Sequence, residues 1–149
     1  MKIAVTGGGS GGHFYPLMAV ADKVIELAEE RKILTPEIYY LADDPYDEQL
    51  LYRRNIYFRK VSAGKMRRYA SVKNFTGLFT TFFGTIKTLF LMFNIYPDVV
   101  FTNGSYVSMP VLFSCRVLRI PVMVHASDAI PSRAVLYGCL LYTSDAADD

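Results

Sequence analysis

Apolar residues follow two rhythms along this chain. Short unbroken runs such as Ile3-Ala4-Val5, Leu41-Ala42, Val99-Val100-Phe101 and Val122-Met123-Val124 alternate with longer stretches in which apolar positions recur every three or four residues. The runs predict buried strands and the longer stretches predict amphipathic helices. Strands are expected at Lys2 to Thr6, Glu37 to Ala42, Ile56 to Val61, Val99 to Thr102 and Pro121 to His125. Helices are expected at Phe14 to Glu30, Pro45 to Arg54, Val72 to Phe93 and Val107 to Leu118. In the first helix, Leu17, Val20, Ala21, Val24, Leu27 and Ala28 keep helical spacing, and Pro16 falls in the first turn. Continuously apolar strands separated by helices predict an α/β fold, a doubly wound parallel sheet of Rossmann-like type. In the common 3-2-1-4-5 strand order the winding reverses between strands 1 and 4, and ligands bind outside the carboxyl ends at that switch point.

The loops at that edge carry the candidate chemistry. Strand 1 runs into Thr6-Gly7-Gly8-Gly9-Ser10-Gly11-Gly12-His13, with five glycines in the six positions 7–12. Glycines let the backbone approach an anion, and the free N–H groups of a helix start point at it. Packing alone rarely needs so many. Gly7, Gly9 and Gly12 also satisfy G-x-G-x-x-G, so a dinucleotide site is an alternative, whereas no Lys-Ser or Lys-Thr pair closes the turn as a P-loop requires. His13 ends the turn as a titratable group beside the phosphate position. Strand 4 leads into Asn103-Gly104-Ser105-Tyr106, and strand 5 ends at His125, followed by Ser127 and Asp128. Both histidines of the chain therefore fall at the carboxyl edge. For His125 a structural role and a functional one weigh equally.

The helix over Val72 to Phe93 differs from the others. Phe75, Leu78, Phe79, Phe82, Phe83, Ile86, Leu89, Phe90 and Phe93 fall within an arc of about 140° at helical spacing. Thr76, Gly77, Thr80, Thr81, Gly84, Thr85, Lys87 and Thr88 fill the other side. That polar side is too wide for a membrane span. The arc predicts a helix packed on the sheet, in part or whole, with a share of it free to dip into an anionic bilayer.

Charge sharpens this second possibility. Gln49 to Pro97 contains no Asp or Glu but holds Arg53, Arg54, Arg59, Lys60, Lys65, Arg67, Arg68, Lys73 and Lys87, within a chain whose net charge is only +2. A one-signed block of this length implies an anionic partner, whether membrane surface, nucleic acid or phosphorylated ligand. Lys65, Arg67, Arg68, Lys73, Phe79 and Phe82 are the expected membrane contacts. Cys115 and Cys139 make no C-x-x-C pair, which fits a reducing compartment. With two histidines, a zinc site is not expected. Because the opening residues lead straight into a strand, no signal peptide is expected. A chain of 149 residues is long enough for about one domain with a real core.

Three ordered blocks resemble one family. Gly8-Gly9-Ser10-Gly11-Gly12-His13-Phe14-Tyr15-Pro16 is similar to the glycine-rich signature of the family 28 glycosyltransferases that act in peptidoglycan synthesis. Tyr96-Pro97-Asp98-Val99-Val100 with Gly104-Ser105-Tyr106-Val107-Ser108 and Pro110 resembles their second loop, and Ile120-Pro121-Val122-Met123-Val124-His125 through Ala129-Ile130-Pro131 their third. The resemblance spans about Met1 to Leu136 and departs from the family at Ala126, where a Glu is usual, and at Ser132, where a Gly is usual.

The resemblance implies the amino-terminal, acceptor-binding half of a two-domain GT-B enzyme, over residues 1–137. Residues 138–149 read as a non-native tail. The implied reaction is inverting transfer of N-acetylglucosamine from UDP-N-acetylglucosamine to an undecaprenyl-diphosphate-linked muramoyl peptide. His13 is the implied catalytic base. Gly8, Gly9, Ser10, Gly11, Gly12, Gly104, Ser105, Tyr106, His125, Ser127 and Asp128 are the implied acceptor and diphosphate contacts. No cofactor and no metal is implied, and the donor sugar nucleotide falls mainly to a second domain. This half alone is expected to be inactive. The implied partners are the undecaprenyl-linked acceptor, the anionic inner-membrane lipid surface and other cell-wall synthesis proteins, with no nucleic acid. The implied location is the cytoplasmic face of the bacterial plasma membrane, as a peripheral protein.

Two readings from other classes stand beside this one. A nicotinamide-dependent oxidoreductase fragment would use Gly7, Gly9 and Gly12 with Asp43 or Asp44 on the ribose, although Asp43 comes 31 positions after Gly12 rather than the usual roughly 20. A nucleic-acid-binding module would use the basic block and predict steeply salt-dependent binding.

Overall fold

The structure, a computed structural model, describes residues 1–8, 10–62, 73–125 and 136. β1 (Lys2–Thr6) lies at the centre of a five-stranded parallel sheet. β2 (Glu37–Ala42) and then β3 (Ile56–Lys60) extend it on one side, β4 (Val99–Thr102) and then β5 (Val122–Val124) on the other. The order is the doubly wound one that the pattern predicts, and the switch point falls between β1 and β4. There Ile3 pairs with Val99 and Thr6 with Thr102. The free ends of the two strands therefore deliver their loops side by side.

Alternation along the strands builds two cores, because successive side chains point to opposite faces. Val5, Tyr40 and Ala42 face α1 (Gly11–Glu30) and α2 (Glu48–Arg53), packing with Phe14, Leu17, Met18, Ala21 and Leu51. Ala4, Leu41 and Val100 face α3 (Lys73–Ile95) and α4 (Ser108–Leu118), packing with Met92, Ile95, Val107, Val111 and Cys115. Burial pushes the Cys115 thiol up to about 12, so it behaves as a small apolar group.

Two boundaries depart from expectation in ways that matter for the site. α1 begins at Gly11 rather than Phe14, because Ser10 takes the N-cap position with extended backbone and its carbonyl accepts the His13 and Phe14 N–H groups, each at 3.1 Å. His13 thus lies in the first helical turn and not in the preceding loop. α2 begins at Glu48 rather than Pro45, since the Asp47 carboxylate caps it by accepting the Leu50 N–H at 2.9 Å.

The larger departure is α3, whose side chains are described from Phe82 onward. The phenylalanine arc does not pack on the sheet there. Gly84, Thr88, Met92 and Ile95 face inward. Phe82, Phe83, Phe90 and Phe93 are 61%, 65%, 67% and 64% exposed. The reason is a close backbone approach: a Cβ at Gly84 would meet the carbonyl oxygen of Ser62. Thr88 is tolerated inside because its hydroxyl donates to the Gly84 carbonyl at 2.7 Å. Phe82, Ile86 and Leu89 instead line an apolar groove of about 350 Å³ with Met109, Pro110 and Phe113 of α4. Among the described residues, no helix is long and apolar enough to cross a membrane.

Candidate active site at the glycine turn

The turn after β1 is held from both sides. Tyr40 on β2 donates its hydroxyl to the Gly7 carbonyl at 2.8 Å, and Ser105 after β4 donates to the Gly8 carbonyl at 3.0 Å. Burial first, and then the charges of Asp43 and Asp44, raise the Tyr40 phenol, which keeps it a proton donor. The glycines here answer to close neighbours. A Cβ on Gly7 would overlap Asn103 Oδ1 and come within 2.9 Å of Leu17. On Gly8 it would lie 3.0 Å from Asp43 Oδ1, and on Gly11 it would lie 2.6 Å from the Tyr46 hydroxyl. Gly12 differs: the nearest atom to a Cβ there is Ser10 Oγ at 3.7 Å, and both residues are exposed. A helix leaves its first N–H groups without intrahelical partners, and its dipole is positive at that end. The start of α1 at Gly11 and Gly12 therefore carries N–H groups that the helix itself does not use, with Gly12 exposed and Gly11 beside the Tyr46 hydroxyl.

His13 sits half-buried on this first turn, its Nδ1 enclosed and without a hydrogen-bond partner. Its backbone carbonyl accepts from Asn103 Nδ2 at 2.7 Å, so the β4 loop fixes the turn that carries the imidazole. That loop is itself tightly wound. Gly104 takes φ 78°, its N–H donates to Thr102 Oγ1 at 3.2 Å, and Thr102 donates to Ser108 Oγ at 2.8 Å. Asn103 and Ser105 are only 3% and 4% exposed. The Ser105 hydroxyl also accepts from the Val107 N–H at 3.4 Å, so it is committed to tying the two loops together. Tyr106 reaches outward and donates to Asp43 Oδ2 at 2.6 Å. Burial, followed by this bond and the charge of Asp43, pushes the Tyr106 phenol up to about 12.

Ser10, Gly8, Gly11, Gly12, His13, Gly104, Ser105 and Tyr106 are thus gathered from two loops at one sheet edge. His125 follows β5 at the same edge, exposed, with its ring stacked on Phe101 at 6.3 Å and its N–H donating to the Thr102 carbonyl at 2.7 Å. Gly9, Ser127 and Asp128 lie outside the described residues, as do Lys65, Arg67, Arg68, Ala126, Ser132 and the tail over 138–149. Lys73 and Phe79 belong to α3 before the part whose side chains are described. The sequence pattern gives no part in the transferase site to Asp43 or Tyr46, and places Asn103 in the second loop without a role of its own. Asp43 and Asn103 follow the carboxyl ends of β2 and β4, a signal that was available. Tyr46 was not legible, because its approach to Gly11 depends on a left-handed backbone (φ 60°) braced by Asp44 Oδ1 accepting the Tyr46 N–H at 2.8 Å. Among the described residues, no group of three or more His, Cys, Asp or Glu could hold a metal ion.

Residues 3–138 match the Glycosyltransferase family 28 N-terminal domain. The chain belongs to this family. As a family 28 domain it is 37% identical over 133 residues to the UDP-N-acetylglucosamine–N-acetylmuramyl-(pentapeptide) pyrophosphoryl-undecaprenol N-acetylglucosamine transferase of Clostridium kluyveri, covering 89% of this chain and 36% of that protein. It is 34% identical over 132 residues to the transferase of the same name from Treponema pallidum, covering 89% of this chain and 33% of that one. The family 28 chain thus spans about a third of the length of these curated relatives. Its fold matches the crystal structure of Acinetobacter baumannii MurG with a TM-score of 0.70 at 24% identity, over 94% of this chain and 39% of that one. A more distant fold match, TM-score 0.57 at 15% identity, is the UDP-GlcNAc 2-epimerase of Neisseria meningitidis, over 95% of this chain and 39% of that one. Membership of family 28 leaves the oxidoreductase and nucleic-acid readings without support.

Proposed function

We propose that this domain is the acceptor-binding half of an inverting hexosyltransferase. It transfers N-acetylglucosamine from UDP-N-acetylglucosamine to undecaprenyl-diphosphate-linked muramoyl peptide, the step from lipid I to lipid II. The observation that carries this reading is the family 28 match over residues 3–138, joined by relatives that bear this activity in their names. The N–H groups at Gly11 and Gly12 that the helix does not use would hold the acceptor diphosphate, favoured by the helix dipole. His13, on the same turn, would take the proton of the attacking sugar hydroxyl as that oxygen bonds to the anomeric carbon and UDP departs with its electron pair. The donor is bound mainly by a second domain, and this half needs no cofactor or metal for its task.

The same reading places the protein at the cytoplasmic face of the plasma membrane. The phenylalanines that α3 exposes supply apolar contact, and the acid-free block with nine basic residues supplies attraction to anionic lipid. Its partners are the undecaprenyl-linked acceptor, the anionic inner-membrane surface and, through the shared route, other cell-wall synthesis proteins.

The test joins residues 1–136 to the carboxy-terminal half of the Clostridium kluyveri relative and follows labelled N-acetylglucosamine onto the lipid acceptor. The chimaera is expected to transfer. His13→Ala is expected to lower turnover by about a hundred- to ten-thousandfold, the range for losing a general base, with little change in acceptor binding. Near-normal turnover in His13→Ala removes His13 as the base. A folded chimaera that transfers nothing removes the acceptor reading.

A further inference from the structure

α3 and α4 run in the same direction, because each carries the chain from the carboxyl edge of the parallel sheet back to its amino edge. Two contacts fix where the groove between them begins. Gly84 lies against the carbonyl of Ser62, which follows the carboxyl end of β3. Val107, at the start of α4, has its Cγ2 3.5 Å from the Cβ position of Gly8 in the glycine turn. Met109 and Pro110 come next in the chain, so one end of the groove lies at the edge that carries the glycine turn. The β1 turn leads to α1 on one face and the β4 loop leads to α4 on the other. A ligand in the crevice at the switch point therefore has the groove on its α4 side, across the loop that Ser105 ties to the Gly8 carbonyl at 3.0 Å.

The lining holds no charge. Phe82, Ile86 and Leu89 of α3 meet Met109, Pro110 and Phe113 of α4, and Thr85, the one polar side chain among the described lining residues, already has a partner. Shape then separates two apolar surfaces of α3. Phe83, Phe90 and Phe93 stand outward and suit the boundary of a flat bilayer. The groove is concave, and its volume of about 350 Å³ falls within the range of ligand pockets. From Phe82 to Leu89 it follows α3 for about 10 Å, at about 1.5 Å per residue. A flat surface cannot fill such a groove, whereas a single hydrocarbon chain can. An acyl chain of the bilayer has no anchor at the carboxyl edge. A chain joined to a diphosphate on the glycine turn has one, and its entry into the groove is then intramolecular.

We propose that the groove between α3 and α4 is a subsite for the prenyl chain of the acceptor. It takes early isoprene units, while the remainder of the chain stays in the bilayer. The proposal rests on the glycine turn being the diphosphate site.

The experiment measures binding of two water-soluble probes, dimethylallyl diphosphate and farnesyl diphosphate, to the 149-residue chain. They share a headgroup and differ only in the length of the prenyl chain. Farnesyl diphosphate is expected to bind at least about tenfold tighter, since burying even two further CH₂ groups accounts for that factor. Phe113→Ser is expected to remove most of this preference and to leave dimethylallyl diphosphate unchanged, whereas Phe113→Leu, still apolar, keeps it. Ile86→Ser carries the same test if Phe113→Ser fails to fold by circular dichroism. Phe90→Ser, outside the lining, is expected to keep the full preference. Equal wild-type affinity for the two probes overturns the subsite and leaves the diphosphate site standing. A preference that survives Phe113→Ser and Ile86→Ser while sedimentation with anionic vesicles is lost also overturns it, since the groove is then a membrane contact. A preference that Phe90→Ser reduces as much as Phe113→Ser does overturns it too, since the chain then lies over the exposed phenylalanines. A wild-type chain that binds neither probe overturns the diphosphate reading itself, and the subsite with it.

Discussion

α1 lays Phe14, Leu17, Met18, Ala21 and Ala28 against one face of the sheet, whereas α3 lays Gly84, Thr88, Met92 and Ile95 toward the other and turns Phe82, Phe83, Phe90 and Phe93 to the outside. Both helices are amphipathic. Burying a phenylalanine is worth about 1.5–3 kcal/mol, so folding alone would favour the opposite orientation of α3. The close approach of α3 to the chain at Ser62 decides otherwise, because a large side chain at position 84 has nowhere to go. A periodic pattern thus tells which residues share a face, but not which face the rest of the molecule covers. The exposed phenylalanines and the groove that Phe82 shares with Phe113 form an apolar surface of the kind that marks an interaction site. α1 turns its large apolar side chains to the core, whereas α3 meets the core through Gly84, Thr88, Met92 and Ile95 and leaves its phenylalanines exposed.

The comparison breaks or holds first on α1. Phe14 is fully buried, with its ring edge-on to Tyr40 at 5.4 Å and tilted against Tyr46 at 4.9 Å. Phe14→Ala is expected to destabilise the domain by about 3–5 kcal/mol, the usual cost of emptying a buried aromatic site. Urea denaturation followed by circular dichroism reads this directly. A loss below about 1 kcal/mol, the scale of a surface change, would mean that α1 is as loosely held as the outer face of α3.

How much of this was legible follows from the physics of each element. The strand order and the switch point were legible because buried parallel strands are continuously apolar and their crossovers are constrained. The meeting of the Gly7 to His13 turn with Asn103 to Tyr106 followed from that order. The start of α1 was not legible, since five glycines argue for a turn, and only Ser10 accepting the His13 and Phe14 N–H groups draws Gly11 and Gly12 into the helix. Nor was Ser105 legible as an internal tie, because a hydroxyl on a site loop looks the same in sequence whether it faces a ligand or the Gly8 carbonyl. The outward face of α3 was hidden for a related reason: the backbone contact at Ser62 involves residues 22 positions apart.

Gly84→Ala tests that contact with a sign that separates the two explanations. In an open helix interior, alanine is better than glycine by about 0.8–1 kcal/mol. Against the Ser62 carbonyl, the added methyl must displace backbone, and overpacking of this kind costs typically about 1–3 kcal/mol. The expected net outcome is a destabilisation of up to about 2 kcal/mol, with Gly12→Ala, where the Cβ makes only an ordinary contact with Ser10 Oγ at 3.7 Å, expected to be neutral or slightly stabilising in the same assay. If Gly84→Ala stabilises the domain instead, the close approach is not what turns the phenylalanines outward.

The smallest effect on stability is expected on the face of α3 that the core does not use. Phe82→Ser and Phe90→Ser remove side chains that are 61% and 67% exposed, and surface changes of this kind usually stay within about 0.5 kcal/mol. Their effect should appear in a different measurement. In sedimentation with vesicles rich in anionic lipid, the wild-type chain is expected to bind, more weakly as salt rises but not to zero. Salt screens the basic block, worth about 1 kcal/mol per residue near such a surface, and leaves the apolar part untouched. The serine variants are expected to lose that salt-resistant remainder, whereas replacing Arg67, Arg68 and Lys73 by Gln should remove the salt-sensitive part. A serine variant that unfolds the domain returns its phenylalanine to the core and cancels the contrast with α1. A wild-type chain that ignores anionic vesicles even at low salt leaves the contrast standing but transfers the outer face of α3 to a partner other than lipid.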